Sequence, residues 1–107
     1  MTTSPYVFPD PIKPGNVVSI SNVSAVVAAA NARRRRVSIT NRSLVAMLTL
    51  NYGGTAISGA GDCLAPAADT THPGGSIVID DYTGAINGIM SAADATVGNV
   101  AVVEIGE

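Results

Sequence analysis

Two segments between residues 36 and 52 each carry an apolar side chain at every second position. Val37 and Ile39 share one side of segment 36–40, with Arg36, Ser38 and Thr40 on the other. Leu44, Ala46, Leu48, Leu50 and Tyr52 repeat the alternation in segment 44–52. A period of two matches a pleated strand with one covered face and does not match a helix. From Asn16 onward, other short apolar runs are separated by Gly, Pro, Asn, Asp and Ser, the spacing of a sandwich or barrel. Strands are predicted at 17–20, 23–30, 36–40, 44–52, 76–80, 85–91 and 97–105. Asn41, Arg42 and Ser43 have hairpin-turn length, so segments 36–40 and 44–52 are expected to pair.

Composition agrees with the strand reading. Of the 107 residues, 47% are hydrophobic but only 4% aromatic. The supply is mainly Ala and Val, which suits thin, closely spaced layers better than a helical bundle. Charged residues make up 13%, about half the usual share, leaving a surface of Ser, Thr, Asn, Gly and Ala that a partner covers easily. Segment 97–105 is apolar on both faces, with Val100 and Val102 on one and Val97, Val103 and Ile105 on the other. This pattern implies burial on both sides, or burial on one side and a subunit contact on the other.

The first fifteen residues form a separate unit. Pro5, Pro9, Pro11 and Pro14 exclude a helix interior or a central strand and leave an extended arm. Tyr6 and Phe8 are two of the four aromatics, and Tyr6, Val7 and Phe8 are expected to dock on a neighbouring subunit. The domain reading is an arm over 1–15 and one antiparallel β-sandwich, jelly-roll or immunoglobulin-like, over 16–107.

Little in the inventory supports catalysis. The single histidine, His72, lies beside Pro73-Gly74-Gly75 in an expected loop and reads as a solvated group. The single cysteine, Cys63, excludes an internal disulfide and reads as a small buried hydrophobe. Asp80 and Asp81 are adjacent, so strand geometry points them to opposite faces, while Asp62 and Asp69 stand alone in expected loops. No calcium-loop or phosphate-cradling motif surrounds the carboxylates or glycines. The expectation is no enzyme, no cofactor and no metal.

Arg33, Arg34, Arg35 and Arg36 hold four of the six basic residues. Guanidinium groups pair well with phosphate, but the net charge is −2 and no aromatics interleave with the run. On a strand the four would also alternate between faces. A solvated strand entrance is therefore the first reading of the run, ion pairs to a neighbouring protein come next, and nucleic acid is not the expected partner. No apolar run approaches membrane-spanning length, and no leader-type segment opens the sequence, so a protein made in a cytosol with no membrane partner is expected.

Residues 26–104 resemble a family of small tailed-phage virion proteins of the head decoration, or cement, type. The resemblance begins with Ala28-Ala29-Ala30-Asn31-Ala32-Arg33 followed by Arg36-Val37-Ser38-Ile39-Thr40-Asn41. It continues through Leu50-Asn51-Tyr52-Gly53-Gly54-Thr55-Ala56 and Leu64-Ala65-Pro66. It ends with Tyr82-Thr83-Gly84-Ala85-Ile86-Asn87-Gly88-Ile89 and Val100-Ala101-Val102-Val103-Glu104. The four consecutive arginines and the proline-rich arm depart from the family pattern and bear on partner choice.

The resemblance implies a β-sandwich on the outside of a capsid, made in the host cytoplasm and often trimeric, with the major capsid protein as partner. The arm and one sheet edge would clamp adjacent shell subunits. A virion-attached fibre or tail module that binds a host receptor or glycan is the alternative, with Tyr52 and Tyr82 as its available aromatics.

Overall fold

The computed structural model describes residues 15–106. Eight strands follow in order: β1 (Asn16–Val18), β2 (Ala25–Ala28), β3 (Arg34–Asn41), β4 (Leu48–Tyr52), β5 (Asp62–Leu64), β6 (Ser76–Asp80), β7 (Ile86–Met90) and β8 (Val100–Gly106). They form two four-stranded sheets, ordered β1-β8-β3-β6 and β2-β7-β4-β5, with every pair antiparallel. No helix among the described residues is long and apolar enough to cross a membrane. The expected arm over 1–15, with Tyr6, Val7 and Phe8, lies outside the described residues apart from Gly15.

The alternation in β3 has the predicted consequence. Val37 and Ile39 are fully buried, while Ser38 and Thr40 face outward and are only partly covered. From the facing sheet, Leu48, Leu50, Ile86 and Met90 meet them in one core, with Val100 and Val102 supplied by β8. Burying each of these side chains contributes roughly 1.5–3 kcal/mol before the entropy of ordering is counted. Gly88 sits at the middle of β7 because a side chain there has no room. A Cβ at that position would lie 2.6 Å from Val27 Cγ2 and 3.1 Å from Leu48 Cδ1.

The expected hairpin does not form. β3 pairs with β6 and β8, and β4 pairs with β5 and β7, so residues 42–47 cross from one sheet to the other. Sequence neighbours had been expected to pair, but Asn41 turns the chain inward. Its side-chain Nδ2 donates to Ala46 O and Leu64 O, and its Oδ1 accepts from Ser43 N. The strand predicted at 44–52 accordingly starts at Leu48, leaving Leu44 and Val45 exposed on the crossover.

Four smaller corrections follow. The strand predicted at 23–30 is confined to Ala25–Ala28, and the one at 97–105 becomes Val100–Gly106 with Val97 exposed outside it. Strand β5 was not predicted, because three residues carry no periodic signal and its pairing with β4 defines it. Cys63, on β5, is exposed and not buried: it faces away from the core, 3.5 Å from Thr49 Oγ1. Thr49 is itself fully buried, beneath the loop whose Gly59 N donates to its hydroxyl.

Loops at one end of the sheets are locked together by buried polar groups. Asn99 Oδ1 accepts from Ile20 N, and its Nδ2 donates to Ile20 O and Asp94. Ser43 Oγ accepts from the Val45 and Ala46 amides. Among the described residues no buried side-chain polar atom lacks a partner, as a native interior requires.

Candidate interaction surfaces

The arginine run is split by a β-bulge. Between Arg34 and Arg36 the register against β8 shifts, with Arg34 opposite Gly106 and Arg36 opposite Ile105. On a regular strand Arg34 and Arg36 would share a face. The extra residue turns Arg34 into the interior and leaves Arg36 on the outside.

Arg34 is almost fully buried, and the chain itself meets its donors. Nη1 reaches Glu104 Oε1 at 2.8 Å and Ala29 O at 3.0 Å. Nη2 reaches Gly84 O at 2.6 Å, and Nε reaches Tyr82 O at 3.1 Å. A planar fork with five donors suits such a ring of carbonyls, and Arg34 acts here as an internal clamp on the loops around residues 29 and 82–84.

Arg36 pairs with Asp80 across β3 and β6 at 2.6 Å, with both side chains more than half exposed. The hydrogen bond to Asp80 comes first, and its charge second, in holding the Arg36 guanidinium above its ordinary pKa. Arg33 and Arg35 are exposed. The structure therefore sends Arg34 inward and leaves Arg33, Arg35 and Arg36 at the surface.

The outer face of the β1-β8-β3-β6 sheet has few charges. Register aligns Val103, Ser38 and Val78 in one row, and Val17, Ala101, Thr40 and Ser76 in the next. Val17, Val78 and Val103 are exposed there, with the Arg36–Asp80 pair at the rim. Beside Val17 the face runs into a cleft of about 390 Å³ lined by Leu44, Val97, Arg42 and Pro73. Asp69 also lines this cleft, and its carboxylate is held down to about 2. The Thr71 hydroxyl is the largest cause, followed by His72, which lies 2.8 Å from the carboxylate. His72 itself is in a loop and exposed, as expected from its sequence setting.

Two lateral openings between the sheets differ in character. One, about 420 Å³, lies between β6 and the β4–β5 edge and brings Tyr52 and Tyr82 together edge-to-face, with ring centroids 5.6 Å apart. Asp62 and Asp80 also line it. Asp62 accepts a 2.5 Å bond from the Tyr52 hydroxyl. Burial first, and then this bond, push the Tyr52 phenol well above its ordinary value. Sequence reasoning singled out both tyrosines but not their juxtaposition, since 30 residues of chain separate them.

The other opening, about 540 Å³, lies between β8 and β2. Val27, Ala28, Ala29, Ala30 and Val102 wall it, with Asn16, Asn31 and Glu104 as its polar groups. Among the described residues, no group of three or more His, Cys, Asp or Glu side chains is arranged to hold a metal. No family model, curated protein or solved structure matches the chain.

Proposed function

We propose that this chain is a virion structural protein of the capsid decoration type, which binds the outside of a shell and stabilises it by bridging subunits. The strand order favours a jelly roll: two sheets ordered 1-8-3-6 and 2-7-4-5 arise when one long antiparallel ribbon is wound into two Greek keys. Viral capsid proteins are among the frequent users of that architecture.

The observation that carries the reading is the outer face of the β1-β8-β3-β6 sheet. Exposed Val17, Val78 and Val103 stand among small polar side chains, and the face continues into the cleft beside Leu44 and Val97. A sparsely charged face carrying exposed valines, with charge at its rim, suits contact with another protein. In this reading the face meets the major capsid protein, and Arg33, Arg35 and Arg36 add ionic contacts at its edge. Tyr6, Val7 and Phe8 bridge neighbouring subunits of a trimer. Binding the assembled shell and not its free subunits stabilises assembly by mass action. The chain acts without catalysis, cofactor, nucleic acid or membrane.

Counting copies on purified particles tests this. Hundreds of copies, whose removal lowers the heat resistance of the shell, are expected. A few copies confined to a tail or a vertex overturn the proposal.

A second reading has one observation in its favour. The Tyr52–Tyr82 groove offers aromatic surface beside two carboxylates, a combination that suits a sugar ring and its hydroxyls. A tail or fibre module recognising a host glycan would use it, and glycan-array binding lost on Tyr52→Ala would favour this second reading.

A further inference from the structure

We propose that the β2–β8 cleft is the acceptor site for the Tyr6–Phe8 segment of a second copy of this chain, so that copies associate by exchanging arms. This goes beyond the decoration reading and does not depend on a capsid.

The cleft and the segment are complementary. Three consecutive alanines, 28 to 30, line the opening together with Val27 and Val102, so its wall is apolar and lacks a bulky side chain of its own. Polar groups are contributed by Asn16, Asn31 and Glu104. Glu104 gives one oxygen, Oε1, to Arg34, and its side chain remains about a fifth exposed. A tyrosine has matching chemistry, a large apolar ring ending in a hydroxyl that donates, and phenylalanine fills space without a polar demand. Residues 6–8 hold both aromatics that precede the sheets, flanking Val7.

The length of chain between cleft and segment identifies the donor. Asn16 lines the cleft and pairs with Val102, another of its wall residues, across a strand spacing of roughly 5 Å. Seven residues lie between Phe8 and Asn16, and they include Pro9, Pro11 and Pro14. At the polyproline rise of about 3.1 Å per residue, the eight steps from residue 8 to residue 16 can span on the order of 25 Å. To reach its own cleft the chain would have to reverse direction within a stretch whose prolines favour extension. The cleft of another copy needs no reversal.

A contact between an arm and a cleft joins two different surfaces, so it propagates head to tail and closes into a ring wherever the rotation permits. A trimer is one such closure.

Two measurements on the full chain test the exchange. In sedimentation, the protein is expected to associate with rising concentration. Phe8→Ala, and Ala29→Trp at the exposed part of the cleft wall, should each weaken that association about tenfold or more. Circular dichroism should show the β-sheet signal retained in both variants.

The second measurement uses disulfide trapping in a Cys63→Ser background. Mixing a Phe8→Cys chain with an Ala29→Cys chain should yield a covalent heterodimer under mild oxidation. A chain carrying both substitutions that closes on itself as a monomer overturns the proposal. So does a full chain that stays monomeric at millimolar concentration, or an association indifferent to both variants. Coating of particles by a monomeric full chain would overturn the exchange while leaving the decoration reading standing.

Discussion

Arg34 and Glu104 pair across β3 and β8 at 2.8 Å, with the guanidinium wholly buried and the carboxylate about a fifth exposed. The same guanidinium holds the carbonyls of Ala29, Tyr82 and Gly84. Removing it leaves a carboxylate and three carbonyls without their donor. Arg34→Ala is therefore expected to cost about 3–5 kcal/mol. Lysine cannot span the fork, so Arg34→Lys should recover only part of the loss. Arg36→Ala, which breaks an exposed pair, should leave the urea midpoint nearly unchanged. Equilibrium urea unfolding of the three variants checks the contrast.

Asn99 satisfies both backbone groups of Ile20, 79 residues away, from a fully buried position. Asn99→Ala should lower stability by about 1–3 kcal/mol for the stranded donor and acceptor. Asn99→Asp should not rescue it, because a carboxylate cannot donate to Ile20 O and would face Asp94. Hydrogen exchange at the Ile20 amide should speed up in both variants.

Gly88 keeps the Val27 and Leu48 side chains close to the β7 backbone. Gly88→Val should cost about 1–3 kcal/mol through overpacking. Adding Val27→Ala should return part of that loss, giving a non-additive cycle in thermal unfolding, since the two residues share one space.

Asp94 and Asp69 are both held down to about 2, from an ordinary 3.8. For Asp94 the Ser43 hydroxyl is the largest cause, followed by the Thr96 amide. A depressed carboxylate contributes stability that is complete above its unfolded value and is lost as pH falls through its folded value. Stability should therefore decline between about pH 4 and about pH 2 and level off below. Asp94→Asn should flatten the slope in that window but not abolish it, because Asp69 still titrates. Urea midpoints across the window measure the effect.

The sequence made individual strands legible where one face is covered, and it failed where pairing depends on distant partners. The prediction at 76–80 matches β6, where Ile77 and Ile79 turn inward while Ser76, Val78 and Asp80 face out. Segment 44–47 looked like strand because Leu44 and Ala46 continue the alternation of Leu48 and Leu50. Its conformation is instead set by Asn41 and Ser43, whose hydrogen bonds are not visible in periodicity. Burial of Arg34 was similarly hidden. It requires a bulge specified by register with β8 and carbonyls delivered by loops 50 residues away. Thr49 alternates away from Leu48 and Leu50, and it is buried beneath the returning loop at Gly59. Among the surfaces, Tyr52 and Tyr82 were individually visible, but nothing local indicated that the two sheets would bring them together. The second opening, between β8 and β2, was not foreseen, because its walls are separated by more than 70 residues of chain.

The position of β8 between β1 and β3 has a consequence for how the protein is made. While the ribosome is still elongating the chain, β1 has no partner and β3 has only β6. The first sheet stays divided until residues 100–106 emerge. The second sheet is assembled from β2, β4, β5 and β7, all translated earlier, yet its inner face lacks Val100 and Val102 for the same interval. Exposed apolar strands waiting for a late partner are the usual starting point for misassembly. A nascent chain of this design gains from rapid completion, and slowed translation before residue 100 should lower the yield of soluble protein.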